Sequence, residues 1–227
     1  MGHKYYDSIP RFQDDGTLKG EIVWGFNKLD GQNFSVTYNP KTTKFGPFGS
    51  RTTLVDETSD QFGNTVKWFK NSNYEEILNR IIRTHRGKHD IFNGIEEITF
   101  FFEWYGEHSF AGRHQEGDEM HLALTDVFLK KKGYMEPKDY YTLFNGSGVE
   151  LPDLIYTGPF DSEIIEKVQN NDWTSDNPEF PTVKEGVVFK RSTMMKGQRR
   201  PSVKVKTKWW INKLHSMYSE EECKILE

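Results

Sequence analysis

The stretch that decides the fold is KLDGQNFSV, residues 28–36, which follows the β-rich segment GEIVWGFN at 20–27. Apolar and polar residues alternate in both segments, as expected for strands that bury one face. Between the two segments, Asp30 and Gly31 form a typical turn pair. The pattern predicts strand, turn, strand, with Lys28 at the point where the first strand ends.

The rest of the chain alternates between short strands and a few helices. We expect a helix over 72–86, capped by Ser72 with Glu75, and a buried aromatic strand over 98–104. Further strands are predicted at 122–129, 186–190 and 203–206, helices after Asp161 and over 211–226, and loops at 170–181 and 191–201. Antiparallel strands with packed helices place the chain in the α+β class.

Composition excludes several classes of protein. The 227 residues are 35% hydrophobic, their mean hydropathy is −0.76, and no apolar run approaches the ~20 residues of a membrane span. The first ten residues lack the apolar segment of a secretory signal, and the single cysteine, Cys223, cannot form an internal disulfide. We therefore expect a cytoplasmic protein without a membrane partner, encoded by a cell or by a phage.

Positive charge is concentrated near the C-terminus. The whole chain has a net charge of −4, whereas residues 184–214 contain ten Lys and Arg against one acid. Such a block indicates contact with a polyanion, although a solvated basic surface is the alternative. Alternation in the VKVK segment, 203–206, sends Lys204 and Lys206 to the same face of a strand.

Five short motifs occur in an order that resembles the covalent nucleotidyltransferases, a superfamily of RNA ligases, DNA ligases and mRNA capping enzymes. The motifs are KLDG at 28–31, Arg51, Glu103 at the end of the aromatic strand, EGVVFK at 185–190 and KVK at 204–206. KLDGQNFSV and VKVKTKWWI most resemble the phage-type ATP-dependent RNA ligases. The resemblance spans about residues 5–215 and implies an ATP-grasp-like adenylation domain, with mostly antiparallel sheets flanked by helices.

The resemblance also implies a role for each motif residue. Lys28 is the nucleophile that becomes adenylylated, and Lys204 and Lys206 assist catalysis. Glu103 binds the ribose hydroxyls, and Glu185 assists a Mg²⁺ or Mn²⁺ ion. The residues expected to bind ATP are Lys28, Asn33, Arg51, Glu103, Lys190, Lys204 and Lys206, of which Lys190 contacts a phosphate.

Elementary chemistry supports these roles. A lysine with its ordinary pKa of about 10.4 is protonated at neutral pH, and a nucleophilic amine must be neutral. Because burial and nearby cations disfavour an ammonium, we expect Lys190, Lys204 and Lys206 to lower the pKa of Lys28. The same amines would neutralise charge at the α-phosphorus, and a divalent cation would bridge phosphate oxygens.

Two features depart from the family pattern. The family stacks adenine on an aromatic residue near the strand that here reads HLALTD, residues 121–126, which offers Leu122 or Leu124 instead. Only 21 residues follow Lys206, so we expect residues 1–227 to form a single adenylyltransferase domain without a C-terminal OB or ligase-specific domain. Such a chain is a minimal ligase, a truncated domain, or half of a system whose partner protein supplies that domain.

The expected function is ATP-dependent RNA ligation. Lys28 attacks ATP, AMP passes to a 5′-phosphate, and a 3′-hydroxyl displaces AMP to seal the strand. The expected partner is RNA, with DNA as an alternative. The other functions considered are an ATP-dependent DNA ligase, a capping guanylyltransferase that uses GTP, and a non-catalytic RNA-binding homologue. Trp209 and Trp210 either stack on RNA bases or pack the last helix.

Overall fold

The computed structural model describes residues 3–171, 181, 183–193 and 201–226. The strands of this part are β1 (Ile22–Asn27), β2 (Gln32–Asn39), β3 (Lys44–Gly49), β4 (Leu54–Val55), β5 (Ile98–Gly106), β6 (Met120–Leu129), β7 (Gly133–Tyr134), β8 (Leu154–Pro159), β9 (Gly186–Arg191) and β10 (Ser202–Lys206). Its helices are α1 (Gly63–Asn71), α2 (Tyr74–Thr84), α3 (Pro137–Phe144), α4 (Ser162–Gln169), α5 (Lys208–Met217) and α6 (Glu220–Leu226). Most of the predicted loops at 170–181 and 191–201 lies outside the described residues.

The strands form two antiparallel sheets. One sheet has four strands in the order β10-β9-β1-β8, and the other has six in the order β4-β3-β2-β5-β6-β7. Helices flank both sheets, which confirms the predicted α+β class with mostly antiparallel sheets. Within the described ranges, no helix is both long and apolar enough to cross a membrane.

The six-stranded sheet buries one face under α1, α2 and α3. Alternate residues of β2 and β5 enter this core, including Phe34, Val36, Phe100 and Phe102, each 0% exposed. Helix α2 contributes an apolar stripe with the i, i+4 spacing that the sequence predicted. Because side chains alternate along a strand, the polar residues between these positions line the opposite face of the sheet.

A second hydrophobic core lies between the four-stranded sheet and α4. Val203 and Val205 of β10 are 0% exposed in this core. Alternation therefore directs Lys204 and Lys206 to the opposite face, as the sequence predicted. Helix α4 begins where expected, with the Asp161 carboxylate accepting a hydrogen bond from the Ile164 N–H at 3.1 Å.

A buried ion pair joins the two sheets. The Lys190 ammonium of β9 lies 3.1 Å from Asp126 Oδ2 of β6, and the two side chains are 4% and 1% exposed. Lys190 also donates to the Thr125 carbonyl, and the Tyr6 hydroxyl donates to the same Asp126 oxygen at 3.2 Å. The pair thus fixes the distance between the faces of the two sheets.

The segment 3–12, which we call the N-terminal strap, also crosses both sheets. At one end, His3 Nε2 lies 2.9 Å from Ser35 Oγ on β2. At the other end, the Lys204 N–H of β10 donates to the Pro10 carbonyl at 2.9 Å. No local sequence pattern predicts this segment, because its contacts are with strands that are distant along the chain.

Two local predictions are wrong. The N-cap residue of α2 is Asn73 and not Ser72, which is the C-cap residue of α1, although the Ser72 hydroxyl accepts a hydrogen bond from the Tyr74 N–H at 3.2 Å. The predicted helix over 211–226 is two helices, interrupted at Tyr218, whose backbone is extended. After that break, the Ser219 N–H donates to Glu222 Oε2 at 3.0 Å and Ser219 Oγ accepts from the Glu222 N–H, a capping box that starts α6.

A substitution at Gly186 tests whether the fold requires the close contact between β9 and β10. The φ of this glycine is 153°, and a Cβ atom there would lie 2.1 Å from the Val205 carbonyl oxygen. We expect Gly186→Ala to force the strands apart and lower the free energy of unfolding by about 2 kcal/mol, measured by urea denaturation. Gly16→Ala, with nothing within 4 Å of the added Cβ, is the control and should change it by less than about 0.5 kcal/mol. Equal midpoints of urea denaturation for the two variants would show that the missing side chain at Gly186 is not required for the packing of these strands.

Asp126→Asn tests the ion pair between the sheets. Removing the carboxylate leaves the buried Lys190 charge without its counter-ion, so we expect a loss of about 3 kcal/mol in the free energy of unfolding. Glu163→Gln is the control, because it breaks an ion pair on the surface. The side chains of that pair, Lys167 and Glu163, are 55% and 75% exposed. That change should cost less than about 0.5 kcal/mol. A loss for Asp126→Asn no larger than the control's would show that this pair does not hold the sheets together.

Candidate active site

A cavity of about 410 Å³ lies between the two sheets. The N-terminal strap, the ends of β1, β9 and β10, the polar face of the six-stranded sheet and helices α5 and α6 all contribute to its wall. The sequence-predicted residues on the wall are Lys28, Asn33, Arg51, Glu103, Glu185, Lys190, Lys204 and Lys206. All eight predicted site residues therefore meet around one space, and their individual roles stay predictions.

Three neighbouring strand ends position the reactive groups. Lys28 follows the last residue of β1, and its backbone N–H donates to the Gly186 carbonyl at 2.9 Å. Gly186 is in turn paired with Lys206 across β9 and β10. Glu185 immediately precedes β9, so the sheet brings together three side chains that are far apart in the sequence.

The Glu185 carboxylate connects two of the cavity lysines. Its Oε2 atom lies 2.8 Å from Lys28 Nζ, and its Oε1 atom lies 3.0 Å from Lys206 Nζ. Glu185 is only 2% exposed, so the carboxylate depends on these ammonium groups in place of water. The juxtaposition of the N-terminal lysine with the C-terminal amines is thus present in the structure.

The pKa of Lys28 differs from the expectation. Burial acts to lower it, but the carboxylates of Glu185, Glu103 and Asp30 together act more strongly, and the pKa is raised above its ordinary value. The cations expected near Lys28 are therefore outweighed by acids that only the fold brings close to it. In this structure Lys28 therefore carries its proton at neutral pH.

The two lysines of β10 behave in the opposite way. Burial, followed by the charges of Lys206 and Lys28, lowers the pKa of Lys204 to about 8. Burial also lowers the pKa of Lys206 to about 8, although Glu185 opposes this change. An anion that approached these amines would stabilise their charged forms, so the pair is suited to binding phosphate.

The six-stranded sheet supplies a second, uncharged or weakly charged wall. Asn33 and Glu103 are directly opposed on β2 and β5. The Asn33 amide donates to the Phe102 carbonyl at 3.3 Å, while its buried Oδ1 atom has no hydrogen-bond partner among the described residues. Burial raises the pKa of Glu103 to about 7, with the charge of Lys28 opposing the shift. Both side chains can therefore accept hydrogen bonds from a ligand.

Asp30 shapes the turn after Lys28. Its carboxylate accepts hydrogen bonds from the Ala111 and Gly112 N–H groups at 2.9 Å and from Trp210 Nε1 at 2.7 Å. Trp210 is 1% exposed, and Lys206 Nζ lies 3.4 Å from its ring centroid. Of the two uses considered for Trp210, the structure supports packing of the C-terminal helices.

Several wall residues were missed by the sequence analysis. They come from the strap, the segment before α1, and α6: Tyr6, Ser8, Ile9, Gln61, Phe62, Ile225 and Leu226. Lys206 Nζ also donates to the Leu226 carbonyl at 3.2 Å, which ties α6 to the cavity. No local motif marks these residues, because only the tertiary packing of distant segments brings them to the wall.

The expectation that Leu122 or Leu124 covers a base is wrong. Both are 0% exposed and belong to the core under α1, α2 and α3. The β6 residue on the cavity wall is Thr125, whose hydroxyl donates to the Phe101 carbonyl at 3.0 Å. The sequence correctly predicted a strand in this segment, but the two leucines lie on the face of the strand that points away from the cavity.

The fold is similar to that of solved RNA ligases. A mutant Naegleria gruberi RNA ligase without ligand has a TM-score of 0.64 and 18% identity, with 93% of this chain and 58% of that chain covered. A mutant with ATP and Mn has a TM-score of 0.61 and 16% identity, with 93% and 57% covered. The same ligase with PPi has a TM-score of 0.62 and 19% identity, with 94% and 58% covered.

These structural similarities show the fold, and this chain spans about 58% of the length of those proteins. No curated protein sequence matches the chain. The family model described as RNA ligase, however, matches residues 21–206, the segment that carries the five motifs and the predicted site residues. This chain belongs to the RNA ligase family.

Proposed function

We propose that the protein is an ATP-dependent RNA ligase that adenylylates itself on Lys28. The observation that carries this proposal is the meeting of Lys28, Glu185 and Lys206 at one end of a cavity whose wall contains the predicted nucleotide-binding residues. Membership of the RNA ligase family supports RNA as the substrate. The similar fold of a ligase solved with ATP and Mn supports ATP as the nucleotide.

In the first step, the Lys28 ammonium passes a proton to the Glu185 carboxylate 2.8 Å away, and the neutral amine attacks the α-phosphorus of ATP and loses its second proton to water or to the departing pyrophosphate. A phosphorus–nitrogen bond forms, the bond from the α-phosphorus to the bridging oxygen breaks, and pyrophosphate leaves with the bonding electrons. Lys204 and Lys206 bind the phosphate oxygens and stabilise the negative charge that develops on them. Asn33, Arg51 and Glu103 hold the sugar and the α-phosphate in place for in-line attack.

Two further transfers complete ligation. The 5′-phosphate of an RNA end attacks the lysine-bound AMP, which releases Lys28 and forms an RNA–adenylate. A 3′-hydroxyl then attacks that 5′-phosphate, and AMP leaves as the phosphodiester forms. We assign the self-adenylylation step to residues 1–227 as a single adenylyltransferase domain. A partner protein for sealing and a cytoplasmic location stay predictions.

The donors on the cavity wall fit a divalent cation that arrives with the nucleotide. Mg²⁺ and Mn²⁺ favour oxygen ligands, and Mg²⁺ usually combines one or two carboxylates with waters and substrate phosphates. Among the described residues, no group of three or more His, Cys, Asp and Glu side chains could hold a metal ion by itself. Glu185 offers one carboxylate beside the lysines. The ion would supply charge neutralisation at the phosphate oxygens.

Self-labelling tests the first step. With α-labelled ATP, a divalent cation and no nucleic acid, we expect label on the wild-type chain and none above background on Lys28→Ala, because the nucleophile is gone. Lys208→Ala is the matched control, since this exposed lysine bonds to Asn170 outside the cavity. Label on another residue would contradict the proposal, and label from GTP instead of ATP would indicate a capping enzyme.

Sealing assays then identify the polynucleotide. We expect the chain, tested alone, to join nicked RNA or free RNA ends that carry a 5′-phosphate and a 3′-hydroxyl. Faster sealing of nicked DNA would identify a DNA ligase. Labelled Lys28 without any sealing would restrict the chain to the adenylylation step.

Binding of ATP should depend on pH through Lys204 and Lys206. Their pKa values are lowered to about 8, so both amines lose charge as pH rises through 8. Bound phosphates favour the charged forms, and ATP binding with EDTA present should therefore take up protons near pH 8 and weaken from pH 7 to 9. Calorimetry in buffers of different ionisation enthalpy measures both effects. Equal affinity across this range, without proton uptake, would show that these amines do not bind the phosphates.

A further inference from the structure

One of the aromatic side chains on the cavity wall is less buried than the others. The four aromatic residues that the described chain contributes to the wall are Tyr6, Phe26, Phe62 and Trp210. Phe26, Phe62 and Trp210 are 2%, 8% and 1% exposed and pack into hydrophobic cores, whereas Tyr6 retains partial exposure. Tyr6 is therefore the least buried of the four aromatic residues on the cavity wall.

Neighbouring groups hold the Tyr6 ring in place. Its hydroxyl donates to Asp126 Oδ2 at 3.2 Å, and its ring centroid lies 4.8 Å from that of Phe101 and 6.1 Å from that of Tyr134. A ring held by its hydroxyl and by two neighbouring rings loses little further conformational freedom when a ligand binds. This preorganisation favours contact with a planar group.

The four-stranded sheet provides an apolar surface on the same cavity. Val188 of β9 lines the wall, and two residues later Lys190 binds the same Asp126 oxygen as Tyr6. A strand rises about 3.3 Å per residue, so Lys190 lies roughly 16 Å along β9 from Glu185. The cavity thus has one end at Lys28 and Glu185 and a second end at Tyr6 and the Lys190–Asp126 pair, with Val188 between them along β9.

We propose that Tyr6 stacks on the base of the bound nucleotide. This inference rests on the proposed function and adds to it the residue that recognises the base. With the phosphates at Lys204 and Lys206, an extended nucleotide has its base near Tyr6, Val188 and Lys190. Lys190 then lies beside the base, in contrast to the phosphate contact that the family resemblance implies.

Conservative variants at position 6 separate stacking from hydrogen bonding. Stacking of a base on an aromatic side chain is worth about 1–3 kcal/mol, so Tyr6→Leu should raise the dissociation constant of ATP by about fivefold to 150-fold. Tyr6→Phe keeps the ring and should stay within about twofold of the wild type. Tyr5→Leu is the matched control, because Tyr5 lies on the same strap outside the cavity wall and contacts His3.

Inorganic tripolyphosphate distinguishes base stacking from displacement of the strap. Its affinity should be unchanged in Tyr6→Leu, since it carries no base. An unchanged ATP affinity in Tyr6→Leu, or equal losses for ATP and tripolyphosphate, would overturn the inference. In a readout that needs no variant, a nucleotide with 2-aminopurine as its base should lose fluorescence on binding the wild type, and undiminished fluorescence would also overturn it.

These binding measurements are independent of the chemical step. If Lys28 acquires no label while Tyr6→Leu weakens ATP binding, the ligase proposal fails and the stacking inference stands. If Lys28 is labelled normally and Tyr6→Leu binds ATP as the wild type does, the stacking inference fails and the ligase proposal stands.

Discussion

The ion pairs of the Glu185 carboxylate are the interaction on which the active site depends. This nearly inaccessible group contacts Lys28 through one oxygen and Lys206 through the other. Without it, several ammonium groups would share a water-poor cavity with fewer counter-charges, and their repulsion would oppose the close packing of β1, β9 and β10. The carboxylate therefore allows the fold to hold Lys28 beside the lysines of β10, which is the arrangement that the proposed self-adenylylation needs.

Close contact between backbones is the second requirement, and two motif glycines meet it. A Cβ on Gly31 would lie 2.3 Å from the Trp104 carbonyl oxygen, and one on Gly186 would lie 2.1 Å from that of Val205. Each glycine is near a reactive side chain, Lys28 in the first case and Glu185 in the second. The motifs consequently combine a chemical group with a neighbouring residue that lets another strand approach.

The sequence predicted those parts of the structure that depend on local pattern. Alternation placed Lys204 and Lys206 on one face, and the KLDGQNFSV stretch placed Lys28 at the end of a strand. The charge state of Lys28 could not be predicted in this way, because it depends on carboxylates that only the fold brings near. The contribution of Tyr6 was missed for the same reason, since no periodic pattern connects the strap to the cavity.

The two sheets contribute different properties to the site. The four-stranded sheet carries the charged groups, and the six-stranded sheet presents acceptors such as Asn33 and Glu103. Neither set determines the geometry alone, because the distance between them is fixed by the Lys190–Asp126 pair and the strap. Changes far from the phosphates can therefore shift the position of a nucleotide relative to Lys28. Since in-line attack tolerates little misplacement, such changes would affect the chemical step while leaving every reactive residue in place.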